Sequence, residues 1–122
     1  MDEQQINALT TEIVREQLPD ETDLIGETAF QQIVEGHTEF EGGSSGLRAD
    51  MLAILGGVAS AVTIVKGSLE IVKVWRELHG TQPTVEQVQS ELAQRTQALR
   101  EAADGFVKAL IAAVLTRINR IQ

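Results

Sequence analysis

The chain has no cysteine and no tyrosine, only two prolines, and 3% aromatic residues. Without cysteine there is no disulfide, no thiolate metal site and no cysteine nucleophile. With so few aromatics the core must be built from aliphatic side chains and alanine, which suits close-packed helices better than a sheet. Two histidines argue against a zinc site, and no cofactor or metal is expected. Positive charge is also scarce, with 10 Lys and Arg against 18 Asp and Glu and a net charge of −8. Nucleic acid is therefore not an expected partner, because binding it takes a basic face that displaces counterions.

A long apolar run is missing as well. The longest uncharged stretch, Met51 to Val65, is interrupted by Gly56, Gly57, Ser60 and Thr63 and falls short of the roughly 20 apolar residues a membrane span needs. The chain opens on Asp2-Glu3, where a secretory segment would be basic and then apolar. A cytoplasmic protein is the expectation, and a membrane partner is not favoured.

What is present is 122 residues with 43% hydrophobic content, enough for one domain with a single core. The charge is unevenly spread. Residues 1–46 hold eleven acids and one base, Arg15, whereas residues 47–122 hold nine bases and seven acids. This divides the chain into an acidic N-terminal arm, 1–46, and a mildly basic remainder, 47–122.

In the arm, Asp2 and Gln5 have capping-box spacing, and Ile6, Leu9 and Ile13 follow at helical intervals until Pro19. A second short helix is predicted from about Thr22 to Glu35 with Gly36 as its stop. The stretch Gly36 to Gly46, containing Gly42-Gly43-Ser44-Ser45-Gly46, has the composition of a flexible linker. Beyond it, 47–79 reads as one helix ended by Gly80. A capping box at Thr84–Gln87 opens a second long helix running toward Ile121, with Gly105 as its weak spot. The predicted fold is all-α: a long antiparallel hairpin (about 47–79 and 84–121) with one or two shorter N-terminal helices, completing a helical bundle.

Helices joined by so short a turn lie antiparallel, so facing residues should have numbers summing to about 163. A seam of Ile54, Gly57, Ala61, Ile64, Ser68, Ile71, Trp75 and Leu78 then meets the second helix, with Gly57 opposite Phe106 and Ser68 opposite Arg95. A second apolar line, Leu55, Val58, Val62, Val65, Leu69 and Val72, lies about 100° around the first helix. The C-terminal helix has a surplus of its own, including Val107, Leu110, Val114 and Ile118. A bare hairpin leaves these ten residues uncovered, and such a surface marks an interface. The arm has fewer apolar residues than it would need to cover, so the partner is expected to be a second copy or another protein.

No catalytic residues are expected. His79 beside Gly80 fits a helix C-terminus, where the dipole favours positive charge, and His37 sits in an acidic, linker-like stretch. Asp20, Glu21, Asp23 and Glu27 lack the spacing and central glycine of a calcium loop. The small residues Ala49, Ala53, Gly56, Gly57 and Ala61 serve close helix packing in soluble hairpins as readily as in membranes. The expected function is a non-enzymatic helical interaction or adaptor module. The alternative is a membrane-active helical protein held in check by its acidic arm.

Overall fold

The computed structural model describes residues 1–36 and 49–121. Among these residues the regular elements are seven helices and no strands. Helix α1, Glu3–Gln17, opens with the expected box: Gln5 N–H donates to the Asp2 carboxylate at 2.8 Å and Asp2 N–H donates to Gln5 Oε1 at 3.0 Å. Helix α2, Pro19–Ile25, starts at proline, whose fixed φ suits the first helical turn. Helix α3 spans Glu27–Val34. The single helix predicted from Thr22 to Glu35 is thus divided at Gly26, which adopts φ 87°, a left-handed conformation that glycine takes without strain.

Helix α4, Ala49–His79, runs 31 residues and ends at Gly80 with φ 69°. Helix α5, Val85–Arg95, follows from a reciprocal Thr84–Gln87 capping box. The second arm does not continue as one helix to Ile121. Thr96 and Ala102 are extended, and between them lies only the one-turn helix α6, Ala98–Glu101. Helix α7, Asp104–Ile121, then reverses direction.

The reversal is fixed by side chains that meet across the helices. Gln89 of α5 donates to Asp104 at the start of α7, at 2.6 Å. Gln82, ahead of α5, donates to the carbonyl of Leu115 near the end of α7, at 3.4 Å. Helices α5 and α7 are therefore antiparallel, and α7 is parallel to α4. Phe106 shares a cavity with Gly57, near the start of α4, and Ile118 shares one with Val72 and Arg76, near its end. Helices α4 and α5 are antiparallel as expected, with Leu92 against Gly67, but the expected seam does not hold to its end, where Leu78 is 74% exposed. Gly57 and Phe106 do share a cavity as expected, although α7 runs in the opposite direction to the one expected. Ser68 does not pair with Arg95; its hydroxyl is buried and donates back to the Ile64 carbonyl at 2.6 Å.

Doubling back has a clear physical advantage. A straight second arm would leave the surplus apolar line of 107–118 in water. Folded back, Val107, Leu110, Ile111, Val114, Leu115 and Ile118 are all buried, each worth about 1.5–3 kcal/mol. That outweighs the few helical hydrogen bonds given up near Thr96 and Ala102, each about 1 kcal/mol net.

The N-terminal helices pack on the same core. Lys73 Nζ donates to the Met1 carbonyl at 3.0 Å, and Leu18 shares a cavity with Ala53, Ile54 and Gly57, so α1 runs antiparallel to α4. Helices α2 and α3 also touch α4, and Lys66 Nζ reaches the Val34 carbonyl at 2.5 Å. The result is an all-α bundle with α4 at its centre and three short N-terminal helices instead of one or two. The linker expected up to Gly46, and with it the arm's boundary, falls outside the described residues.

Candidate functional site

The ten residues expected to form an interface, Leu55, Val58, Val62, Val65, Leu69, Val72, Val107, Leu110, Val114 and Ile118, are core residues. None is more than 8% exposed. The reason is topological. Helix α4 is not one arm of an open hairpin but a central helix touched by all six others. Along its middle both apolar lines are interior, since Ala61, Ile64, Ser68 and Ile71 of the first seam are buried as well. The surface calculated to be left over is sheltered by the chain itself, with α1–α3 and the reversed α7 as the cover.

Large apolar side chains remain exposed at Leu24 of α2 and toward the two ends of α4. Near the N-terminal end, Leu52 is 54% exposed, and Ala53, Gly56 and Gly57 are exposed beside it. Across from them, Ala102 and half-buried Phe106 complete a shallow groove of about 360 Å³, lined also by Ser60. Among the described residues no ionisable side chain lines this groove. A neighbouring hollow joins Gly57, Val58 and Phe106 to Leu18 and Glu21 of the arm.

The three glycines of α4 separate into two kinds. At Gly67 an added Cβ would come within 2.7 Å of Leu92 Cδ2, so the Leu92 methyl group would have to shift to admit a side chain at this crossing of α4 and α5. At Gly56 and Gly57 an added Cβ would meet nothing within 4 Å. Two glycines in an exposed helix interior cost about 1 kcal/mol each against alanine, and no packing among the described residues requires them.

The polar candidates stay dispersed. His79 is exposed and its ring lies 4.5 Å from that of Trp75; Trp75 is half-buried near the end of α4. His37 lies outside the described residues. Among the described residues no group of three or more His, Cys, Asp and Glu side chains is placed to hold a metal ion. Of the acidic cluster, Glu27 pairs with Arg15 at 2.5 Å, and Asp20 and Glu21 lie in the first turn of α2, where the helix dipole favours them.

The arm is also tied down by charge. Arg117 of α7 pairs with Glu12 at 2.9 Å and with Glu16, both on α1. Sequence reasoning missed this clasp, because Glu12 and Glu16 lie 105 and 101 residues from Arg117 and become its neighbours only when α7 reverses. Asp104 accepts hydrogen bonds from Gln89 and Lys108, which together hold its carboxyl below the ordinary value. The signals for the missed break were present: Thr96, whose hydroxyl accepts from Ala98 N–H at 3.1 Å, and Asp104, an acid suited to a first helical turn. The chain matches no protein-family model, no curated protein and no solved structure.

Proposed function

We propose that this protein is a cytoplasmic, non-enzymatic helical interaction module that associates with a second copy of itself through the ledge at the start of α4. What supports the reading is the pair Gly56–Gly57: exposed, within a helix, and unexplained by any neighbour among the described residues. Small residues let a second helix backbone come close, and the adjoining groove against Ala102 and Phe106 offers it an apolar wall. The surface differs from the one the apolar pattern alone pointed to. It is smaller, and it sits at one end of α4.

The test is sedimentation velocity at micromolar concentration on the full chain and on Gly56→Glu and Gly57→Glu variants. The module reading expects an oligomer that dissociates in both variants while their helical content is kept. A compact monomer for the parent chain would sink self-association, and binding of a different protein at the same ledge would replace the second copy with that partner.

A second reading has its own observation. Residues Met51–His79 form an apolar helix long enough to cross a membrane, with a mean hydropathy of 1.7 over its 18-residue window, and an acidic three-helix arm is packed against it. The core helix of a soluble bundle has the same composition, so this reading ranks second. It expects dye leakage from liposomes when Arg117→Glu weakens the arm's clasp or when the chain is shortened to begin at Leu47. Intact vesicles with both would exclude it.

A further inference from the structure

We propose that the apolar hollow where α2, α4 and α7 meet is a docking site for a basic amphipathic helix of another protein. The inference goes beyond the association of two copies and does not rest on it, because Gly56 lines the ledge groove and not this hollow. The hollow has a volume of about 300 Å³, enough to admit a large apolar side chain. Its floor is buried Val58, and half-buried Leu18, Ile54 and Phe106 form its walls. Among the described residues Glu21 is its one ionisable lining residue.

The rim sets the charge of the occupant. Elsewhere in the N-terminal helices, Glu12 and Glu16 are paired with Arg117, and Glu27 with Arg15. By contrast, Asp20, Glu21 and Asp23 of α2 have no basic partner among the described residues, and Asp20 and Asp23 are exposed. The helix dipole accounts for Asp20 and Glu21, which lie in the first turn of α2. It works against Asp23, which sits close to the helix end at Ile25, where negative charge is disfavoured. Lysine or arginine on an incoming chain supplies the counter-charge all three lack.

Leu24 sets the shape. It is 60% exposed and three residues from Glu21, so it stands on the same side of α2, one turn beyond the hollow. Two apolar sites a helical turn apart match the i and i+4 side chains of an amphipathic helix lying in a groove. One anchor enters the hollow, the next rests on Leu24, and the basic residues beside them meet Asp20, Glu21 and Asp23. A second copy suits this hollow less well. With a net charge of −8 it brings a surplus of the same sign to an acidic rim, and complementary charge favours a basic chain. The ledge groove at Gly56, with no ionisable lining residue among those described, does not share that local penalty.

The experiment titrates the full chain into a fluorescein-labelled synthetic peptide with leucines at i, i+3, i+4 and i+7 spacing and lysines between them, read by fluorescence anisotropy. The controls are a twin with glutamate in place of lysine and an isomer of the same composition with its leucines dispersed. Saturable binding of the first peptide alone is expected. Asp20→Asn, Glu21→Gln and Asp23→Asn combined should weaken it about tenfold at low salt, and Leu24→Ser several-fold, with helical content kept by circular dichroism. Gly56→Glu should dissociate the copies without weakening the peptide, and the α2 variants should do the reverse, so the two readings fail separately. Equal binding of the dispersed isomer would reduce the attraction to bulk charge and overturn the proposal. Equal binding of the glutamate twin, or binding that the α2 variants leave unchanged, would overturn it too. No peptide binding, with an oligomer that dissociates in the α2 variants, would give the hollow to a second copy instead.

Discussion

Leu92 of α5 lies so near Gly67 of α4 that a β-carbon at position 67 would come within 2.7 Å of its Cδ2. Leu92 is 1% exposed, so its methyl group has little free space in which to retreat. Alanine would gain about 1 kcal/mol of helix propensity but overpack a close crossing, which typically costs 1–3 kcal/mol. Gly67→Ala should therefore lower stability in urea denaturation, by about 1 kcal/mol. Trimming the neighbour with Leu92→Val should recover part of the loss, because the two residues share one contact and their effects are coupled. Additive effects would show that the crossing is looser than this contact implies.

Gly56 and Gly57 should respond in the opposite direction. With open space where a methyl group would go, Gly56→Ala and Gly57→Ala should each stabilise the isolated fold by up to about 1 kcal/mol. If the ledge meets a second copy, the same substitutions weaken association while raising the unfolding midpoint of dilute protein. Thermal melts at low concentration and sedimentation at high concentration separate the two effects. A fall in the dilute-state midpoint would mean that packing inside the chain occupies this space.

Leu110 was expected at an interface and is instead wholly buried. Leu110→Ala should cost about 2–5 kcal/mol, the range for emptying a core site, and should leave the oligomeric state of the folded fraction unchanged. An interface residue would behave the other way, altering association with little change in monomer stability.

The two capping boxes, at Asp2–Gln5 and Thr84–Gln87, were legible because the residues that make them are three apart. Gly36 and Gly80 were legible as stops for the same local reason. The apolar inventory was also read correctly, since both lines on α4 are there and both are buried over the middle of the helix. What could not be read was the cover. Periodicity says that Leu69 and Leu110 must leave water, but it does not say which element shelters them. The answer turned on the break at Thr96–Ala102, in a stretch with no proline and no strong stop. Without that break α7 would run opposite to its actual direction relative to α4, and a surface that closes on itself would lie open. Gly56 and Gly57 belong to a small-residue ridge in the sequence, but only the geometry distinguishes them from Gly67.

Arg117 joins α7 to Glu12 and Glu16 of α1, so it resists separation of the arm from the bundle. The glutamates are more than half exposed and the arginine about a quarter exposed, and pairs of this kind contribute about 0.2–1 kcal/mol each. Arg117→Ala should lower the urea midpoint modestly at low salt. At 1 M salt, where the screening length falls to about 3 Å, the difference should shrink. A loss that persists at high salt would mean the arginine acts through its aliphatic stem.

Asp104 offers a test of the α5–α7 reversal that depends on pH. Its carboxylate accepts from Gln89 Nε2 at 2.6 Å and pairs with Lys108 at 3.2 Å, and it sits in the first turn of α7. The hydrogen bond from Gln89, followed by that from Lys108, holds the folded-state pKa below the ordinary value. A carboxyl with a depressed folded pKa binds its proton more readily in the unfolded chain, so folding is favoured wherever the group is ionised. That contribution is fully present above the unfolded pKa, near pH 4, and disappears as pH falls through the lower folded value. Asp104→Asn keeps an acceptor for Gln89 but has no charge to titrate. The parent chain should therefore melt above the variant by a constant margin from pH 7 to about pH 5, and the margin should close as the pH drops below about 4. Were α7 to continue straight from α5, Gln89 could not reach Asp104, and the acid-dependent part of the margin would be reduced to the small effect of Lys108 and the helix dipole.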